Sequence, residues 1–332
     1  MIGTRTPFRI SFAGGGSDLK EFYSRHAGCV LSTTINQYMY IFVHPYFDER
    51  IQVKYSRTEL VGEAGEIKHP IVREALRKFG INGIDINSIG DIPAGTGLGS
   101  SGSFTVGLLN ALYAYTGRYP VPETLAREAC AIEIDMLGEP IGKQDQYAAA
   151  YGGLNLITFH PDDTVRVEPV VLSPEKSREL ENNLLFFYTG GVRPARDILS
   201  AQKKSTVTDK NTFMNIQAMA GLARNLKASL EAGNLHDMGA ILDEGWRLKK
   251  ELSPKISDDK IDYYYELAVK SGAAGGKLLG AGGSGFLMFY CEPSRQAELR
   301  QAMKDLREFK FQFDNSGTKV IYDTASEVNG DD

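Results

Sequence analysis

The eleven residues "PAGTGLGSSGS", 93–103, decide the reading of this chain. Four are Gly and three are Ser, and the apolar run "FTVGLLNALYAY", 104–115, follows at once. The apolar run predicts a helix over about 103–116. Successive backbone N–H groups of a Gly-rich turn make an anion nest. The free N–H groups and positive dipole end of the next helix face the same spot. Ser100 and Ser101 add hydroxyls for a phosphate or a magnesium ion. The plainer alternative is a Ser-capped helix after an ordinary Gly turn.

Two hexapeptides, "GLGSSG" at 97–102 and "GAGGSG" at 280–285, match the dinucleotide fingerprint GxGxxG in form. That motif needs a strand immediately before it, a helix after it and an acidic residue about 20 positions on. The first match has Pro93 and Ala94 intervening and "YPVPE" where the second strand should end. The second runs into "FLMFY", a strand. Both fail, and no GxxxxGK[ST] string occurs.

Working outward, "FRISFA", "CVLSTTINQYMYIFVHPYF", "IQVKYS" and "GIDINSIG" read as strands, the second as one or two. "HPIVREALRKFG" has helical spacing and a Gly stop. "VPETLAREACAIEIDMLG" reads as one helix, "KQDQYAAAYGG" as a short one, and "LNLITFH" with "VRVEPVV" as a strand pair. "NNLLFFYTGG" predicts a buried strand, and about 210–271 are helical, with Met214, Met219, Leu222, Leu226 and Leu230 on one face and Leu235, Met238, Ile241, Leu242 and Trp246 on another. "KLLGAGGSGFLMFY" is a Gly loop entering a strand. A helix near 294–307 and strands at "FKFQFD" and "KVIYD" close the chain. The polar "SPEKSRELENN" marks a boundary near 180, giving expected domains 1–180 and 181–332.

The composition is globular, 42% hydrophobic and 24% charged, with a net charge of −5 and no basic cluster. That argues against nucleic acid or an anionic membrane as the main partner. Three widely spaced cysteines offer neither a disulfide framework nor a CxxC metal site, and point to a reducing, cytoplasmic home. The opening "MIGTRTPFRISF" lacks an apolar h-region, so a signal peptide is not expected. No oligomeric state is legible, a homodimer being one option.

Three segments in order, "TPFRISFAGGGSD", "PAGTGLGSSGS" and "KLLGAGGSGF", resemble the motifs of the GHMP kinase family. Gly102 stands where the family usually has Ala. The resemblance implies an α+β, two-domain fold: an N-terminal sheet-and-helix domain with a left-handed β-α-β crossover and a C-terminal ferredoxin-like domain, with the active site between them. It implies ATP and Mg2+ as cofactors and a small-molecule sugar phosphate as partner. By position, Gly95, Gly97, Leu98, Gly99, Ser100, Ser101, Gly102 and Ser103 would carry the nucleotide phosphates, and Ser101 and Glu133 the magnesium. Arg9 and Asp145 would be catalytic, Asp145 as the base. Asp18, with Gly15 and Gly16, would hold the sugar, and Gly282 and Gly283 would shape the floor. Within the family, "AGGGSD" and "GEPIGKQDQYAAAYGG" are most similar to the branch acting on D-glycero-D-manno-heptose 7-phosphate. The L-fucokinase branch comes next, and a non-catalytic sugar sensor is a third option.

A substrate phosphate needs its own cation. Lys143, Arg193 and Arg196 are the candidates, with Arg25 behind them. Each also reads as a solvated surface charge. Asp145 also reads as a helix cap, Glu133 as an exposed helix residue and Arg9 as an exposed strand charge, but the apolar neighbours of Glu133 and the fork of Arg9 favour the functional readings.

Overall fold

The computed structural model describes residues 1–191 and 195–324. Its strands, in chain order, are β1 (Ile2–Ala13), β2 (Gly28–Pro45), β3 (Ile51–Lys54), β4 (Thr58–Val61), β5 (Ile84–Gly90), β6 (Asn155–Phe159), β7 (Val165–Pro169), β8 (Leu184–Tyr188), β9 (Gly275–Leu278), β10 (Phe286–Tyr290), β11 (Arg307–Phe309), β12 (Phe313–Asp314) and β13 (Lys319–Asp323). They form two sheets.

The first sheet runs β13-β1-β2-β5-β3-β4, with β6 and β12 on β2 and β7 on β6. The long β2 is one continuous strand. Its first half pairs with β6 and its second half with β5, while β1 runs antiparallel beside both. β3 and β5 pair in parallel; β4 and helix Pro70–Phe79 lie between them in the chain and make the β-α-β connection. Almost every residue of β1 is buried, because helices cover both faces. Helix Ser100–Tyr115 packs on β1 and β2, and so does helix Lys210–Glu231. A helix apolar all round must be buried all round, and Ser100–Tyr115 is: twelve of its sixteen residues are buried.

The second sheet is antiparallel with order β11-β8-β10-β9. Numbered from its own first strand this is 4-1-3-2, with helices between the first and second strands and helix Gln296–Ala302 between the third and fourth. That is the ferredoxin-like arrangement. Helices Asp237–Glu251 and Asp259–Lys270 continue the helical run expected over 210–271. Helix Ala195–Thr208 is not apparent in the sequence. Its inward stripe is Ile198, Gln202 and Thr206, all buried, and two polar residues in three leave no apolar periodicity to read.

One apolar core joins the two sheets: Phe8, Ile10 and Phe12 of β1 share it with Leu222 and Leu226, and with Phe186, Phe286 and Met288. The division expected at 180/181 falls inside helix Pro174–Asn183, whose first turn is capped by Ser173 Oγ accepting from Lys176 N–H at 3.2 Å. After β11 the chain crosses back, and β12 and β13 complete the first sheet. No helix among the described residues is long and apolar enough to cross a membrane.

Candidate active site

A cleft of about 350 Å³ opens where the two sheets meet. Its roof is the Gly/Ser loop. Helix Ser100–Tyr115 begins three residues earlier than the sequence predicts, so Ser100 and Ser101 lie in its first turn. Gly99 is the N-cap, in the left-handed region at φ 75°, with no side chain to cap the first N–H groups. Those donors are left for a ligand. Gly97, at φ 85°, lies against the second half of the molecule: a Cβ there would come within 2.6 Å of Leu279 O. Gly95, Gly97, Gly99, Ser100, Ser101 and Gly102 all line the cleft.

Arg9 and Asp145 meet at its centre. Arg9 Nε donates to Asp145 Oδ1 at 2.7 Å and Nη2 to Oδ2 at 3.0 Å, the two-point fork suited to a carboxylate. Nη1 donates to Gly97 O at 2.5 Å. The Arg9 side chain is 8% exposed and that of Asp145 31% exposed, so the carboxylate faces the cleft while the guanidinium backs it. Asp145 lies in the first turn of helix Gln144–Tyr151, and the N-cap is Lys143; Asp145 is therefore not the cap.

Gly102 makes room for this pair. A Cβ at Gly102 would lie 2.8 Å from Asp145 Cβ and 3.0 Å from its carbonyl carbon. The substitution that the family pattern makes look minor therefore bears on the placement of Asp145. Gly102→Ala is expected to shift that residue by a few tenths of an ångström and lower kcat by about tenfold, since small misplacements at a reacting centre are costly. Steady-state kinetics checks it, with KM for ATP moving far less than kcat.

Glu133 sits on a single π-helical turn, Ala131–Met136, that extends helix Pro122–Cys130. The sequence reads as a continuous α-helix there. Wider turns of this kind recur at functional sites, and this one aims Glu133 inward. Its carboxylate is 1% exposed; it accepts from Ser101 Oγ and, at 2.8 Å, from Gln146 Nε2. Burial pushes its pKa up, and the hydrogen bonds from Ser101, Gln146 and Thr105 pull the other way. Gln146 Oε1 beside it is buried with no hydrogen-bond partner. A buried carboxylate, a hydroxyl and an orphaned amide oxygen are hard oxygen donors of the kind magnesium takes.

Asp18 lines the opposite wall with Gly15 and Gly16. Its carboxylate accepts from Gly16 N–H at 3.1 Å and Gln144 N–H at 3.2 Å. Burial, then the charge of Asp145, raises its pKa. Ser11 donates to Gln144 Oε1 at 3.1 Å, tying the two walls together.

Several residues named from the sequence are elsewhere. Leu98 is in the core, and only its carbonyl reaches the site, accepting from Arg9 N–H at 3.0 Å. Ser103, a turn into the helix, donates to Pro7 O at 2.8 Å. Lys143 turns outward to Asp163 at 2.7 Å and lies over the Tyr23 ring. Gly282 packs on the backbone of Ile256, and Gly283 borders a separate hollow with Thr189 and Lys260; Gly280 and Ala281 reach the cleft instead. Arg196 pairs with Glu139 at the surface at 3.2 Å, and Arg25 lies over the Phe213 ring. Arg193 lies outside the described residues.

Two cleft residues escaped the sequence reading, Lys249 and Lys277. They are 8% and 6% exposed. Burial, then Arg9, lowers the pKa of Lys249 to about 7. Burial, then Lys249 and Arg9, holds Lys277 well below the usual lysine range. This has a consequence for stability. The folded pKa of Lys249 lies below its unfolded value, so between about pH 7 and the ordinary lysine range the unfolded chain binds the extra proton. Stability then rises with pH. The melting temperature of the ligand-free protein is expected to rise from pH 6.5 to 9, and to rise less in Lys249→Met. Equal slopes would contradict this.

Residues 66–153 match the GHMP kinase N-terminal domain and residues 226–309 the GHMP kinase C-terminal domain. The D-glycero-alpha-D-manno-heptose 7-phosphate kinase of Campylobacter jejuni is 31% identical over 96% of this chain and 98% of its own. The bifunctional fucokinase/GDP-fucose pyrophosphorylase of Arabidopsis thaliana is 28% identical over 91% of this chain, which spans 31% of that protein. Among solved structures, a D-glycero-D-manno-heptose 1-phosphate kinase from Bacteriodes thetaiotaomicron superposes with a TM-score of 0.80 at 26% identity, covering 97% of this chain and all of that one. The chain belongs to the GHMP kinase family and has its two-domain α+β fold.

Proposed function

We propose that this protein is an ATP-dependent sugar-phosphate kinase that phosphorylates the anomeric O1 hydroxyl of D-glycero-D-manno-heptose 7-phosphate, giving the 1,7-bisphosphate. A nucleotide-binding unit up to about residue 180 and the unit beyond it would hold the two substrates between them. The observation that carries this reading is the bidentate Arg9–Asp145 pair at the mouth of an uncapped helix N-terminus. The similarity to the Campylobacter jejuni enzyme supports the choice of sugar.

Phosphoryl transfer asks mainly for positioning and charge neutralisation. The amides at Ser100–Gly102 would hold the triphosphate. Arg9 would orient the Asp145 carboxylate through its two-point fork and face the transferring group. As the bond from O1 to the γ-phosphorus forms and the bond from that phosphorus to the β,γ-bridging oxygen breaks, Asp145 takes the O1 proton and ADP leaves. Asp18 and the Gly15–Gly16 turn would orient the sugar. Glu133 and Ser101, with Gln146 beside them, would hold magnesium, which when bound offsets the charge of the phosphate oxygens. The three cysteines are free and buried, in keeping with a cytoplasmic setting.

A free-sugar 1-kinase of the fucokinase type is the second reading. It is favoured by Lys143 and Arg196, two candidate phosphate receptors that are occupied in ion pairs outside the cleft. ADP release measured over a panel of heptoses and hexoses, each with and without its terminal phosphate, separates the two. The highest kcat/KM is expected with the heptose 7-phosphate; a best substrate without phosphate would favour the second reading. No turnover with any sugar would leave a sensor.

A further inference from the structure

Lys249 is on helix Asp237–Glu251, and Lys277 is on β9. Both ammonium groups point at the cleft from the C-terminal side. Lys249 Nζ donates to Gly280 O and, at 3.4 Å, to Leu278 O. Lys277 Nζ donates to Phe12 O at 3.0 Å. Among the described residues, neither has a carboxylate partner. The other cation lining the cleft, Arg9, is matched by Asp145, and outside it Lys143 pairs with Asp163 and Arg196 with Glu139.

Burying one ammonium without a counter-charge costs several kcal/mol. Two facing the same space, each disfavouring the other's charge, are worse. The carbonyls they reach supply hydrogen bonds but no counter-charge. An anion entering the cleft would supply the missing counter-charge. The triphosphate has its own cradle at the helix N-terminus. Lys277 reaches Phe12, just before the Gly14–Gly16 turn on the acceptor's side.

We infer that Lys249 and Lys277 form the receptor for the acceptor's own phosphate group, and so set the preference for a phosphorylated over a free sugar. This rests on the sugar-phosphate reading above. The receptor is made of C-terminal residues while the base is N-terminal, so an acceptor with a phosphate bridges the two halves and a free sugar does not.

The test uses the full chain with Lys277→Met, Lys249→Met and the double variant. Steady-state kinetics are run on D-glycero-D-manno-heptose 7-phosphate and on the unphosphorylated heptose at saturating ATP and magnesium. Titration calorimetry follows binding of the 7-phosphate without nucleotide. A charge-assisted hydrogen bond contributes about 1.5–3 kcal/mol. Each single variant is therefore expected to lower the ratio of kcat/KM for the phosphorylated to the free sugar by about tenfold or more, mainly through KM, and to weaken calorimetric binding in parallel. The melting temperature of the ligand-free variants should stay level or rise, because a buried amine with no counter-charge is removed; a fall would mark the lysines as structural and overturn the inference. An equal loss with both sugars would place the lysines on the transferring phosphoryl group and would overturn it too. A wild-type enzyme that prefers the 7-phosphate, with variants that keep the preference, overturns the lysine assignment alone. A wild-type enzyme that turns over only free sugars overturns the sugar-phosphate reading and the receptor with it.

Discussion

Asp145→Asn is expected to lower kcat by about 100- to 10,000-fold, the range typical of a lost general base. The substitution keeps the shape of the side chain and an oxygen for Arg9 Nε to donate to, but removes the group proposed to accept the O1 proton. ATP binding should change little, because the proposed phosphate cradle is the backbone amides at Ser100–Gly102 and would not use the carboxylate. Calorimetry with ATP and a coupled ADP assay on the same preparation separate the two effects. A kcat within tenfold of wild type would mean that Asp145 serves only to hold Arg9.

Arg9→Met should cost both stability and rate. Arg9 is nearly buried and gives three of its donors to Asp145 and Gly97. Removing one partner of a buried ion pair typically costs about 3–5 kcal/mol. With Asp145 about one-third exposed, water relieves part of that, and about 2 kcal/mol is expected from denaturant melts. The rate should fall by about a thousandfold or more, the lower end of what an arginine facing a transferring phosphoryl group contributes. Adding Asp145→Asn to Arg9→Met should recover stability but not rate, since two residues in one pair are not additive. A double variant no more stable than Arg9→Met would contradict the pairing account.

How far the sequence carried is a matter of which physics is local. The Gly/Ser loop, the helix after it and the "GGGSD" turn announce themselves because turn chemistry and periodicity are local signals. The helix start at Ser100 did not, because Gly99 gives the chain no polar cap to mark it. Glu133 is legible as a candidate, but the π turn that aims it is not, since "AIEIDM" carries no break in helical spacing. The return of β12 and β13 to the first sheet is a pairing across some 270 residues and more, which no short pattern encodes. Lys249 and Lys277 are more instructive. Lys249 follows Leu242 and Trp246 on the buried stripe of its helix, and Lys277 lies in "GGKLL", where all four β9 residues are buried. The spacing from Leu242 and Trp246 puts Lys249 inside, whereas "KLLGAGGSGF" reads as a loop and hides the short strand that buries Lys277. Lysine is almost never fully buried unless paired, so residue type alone points both of them to solvent.

The most direct test of the central claim, that this cleft moves the γ-phosphate of ATP onto the anomeric oxygen of a phosphorylated heptose, is 31P NMR of the product formed from ATP, magnesium and D-glycero-D-manno-heptose 7-phosphate. The account predicts a second sugar phosphorus resonance coupled to H1, growing in step with ADP. Phosphate appearing at another carbon, or only as the inorganic ion, would contradict it.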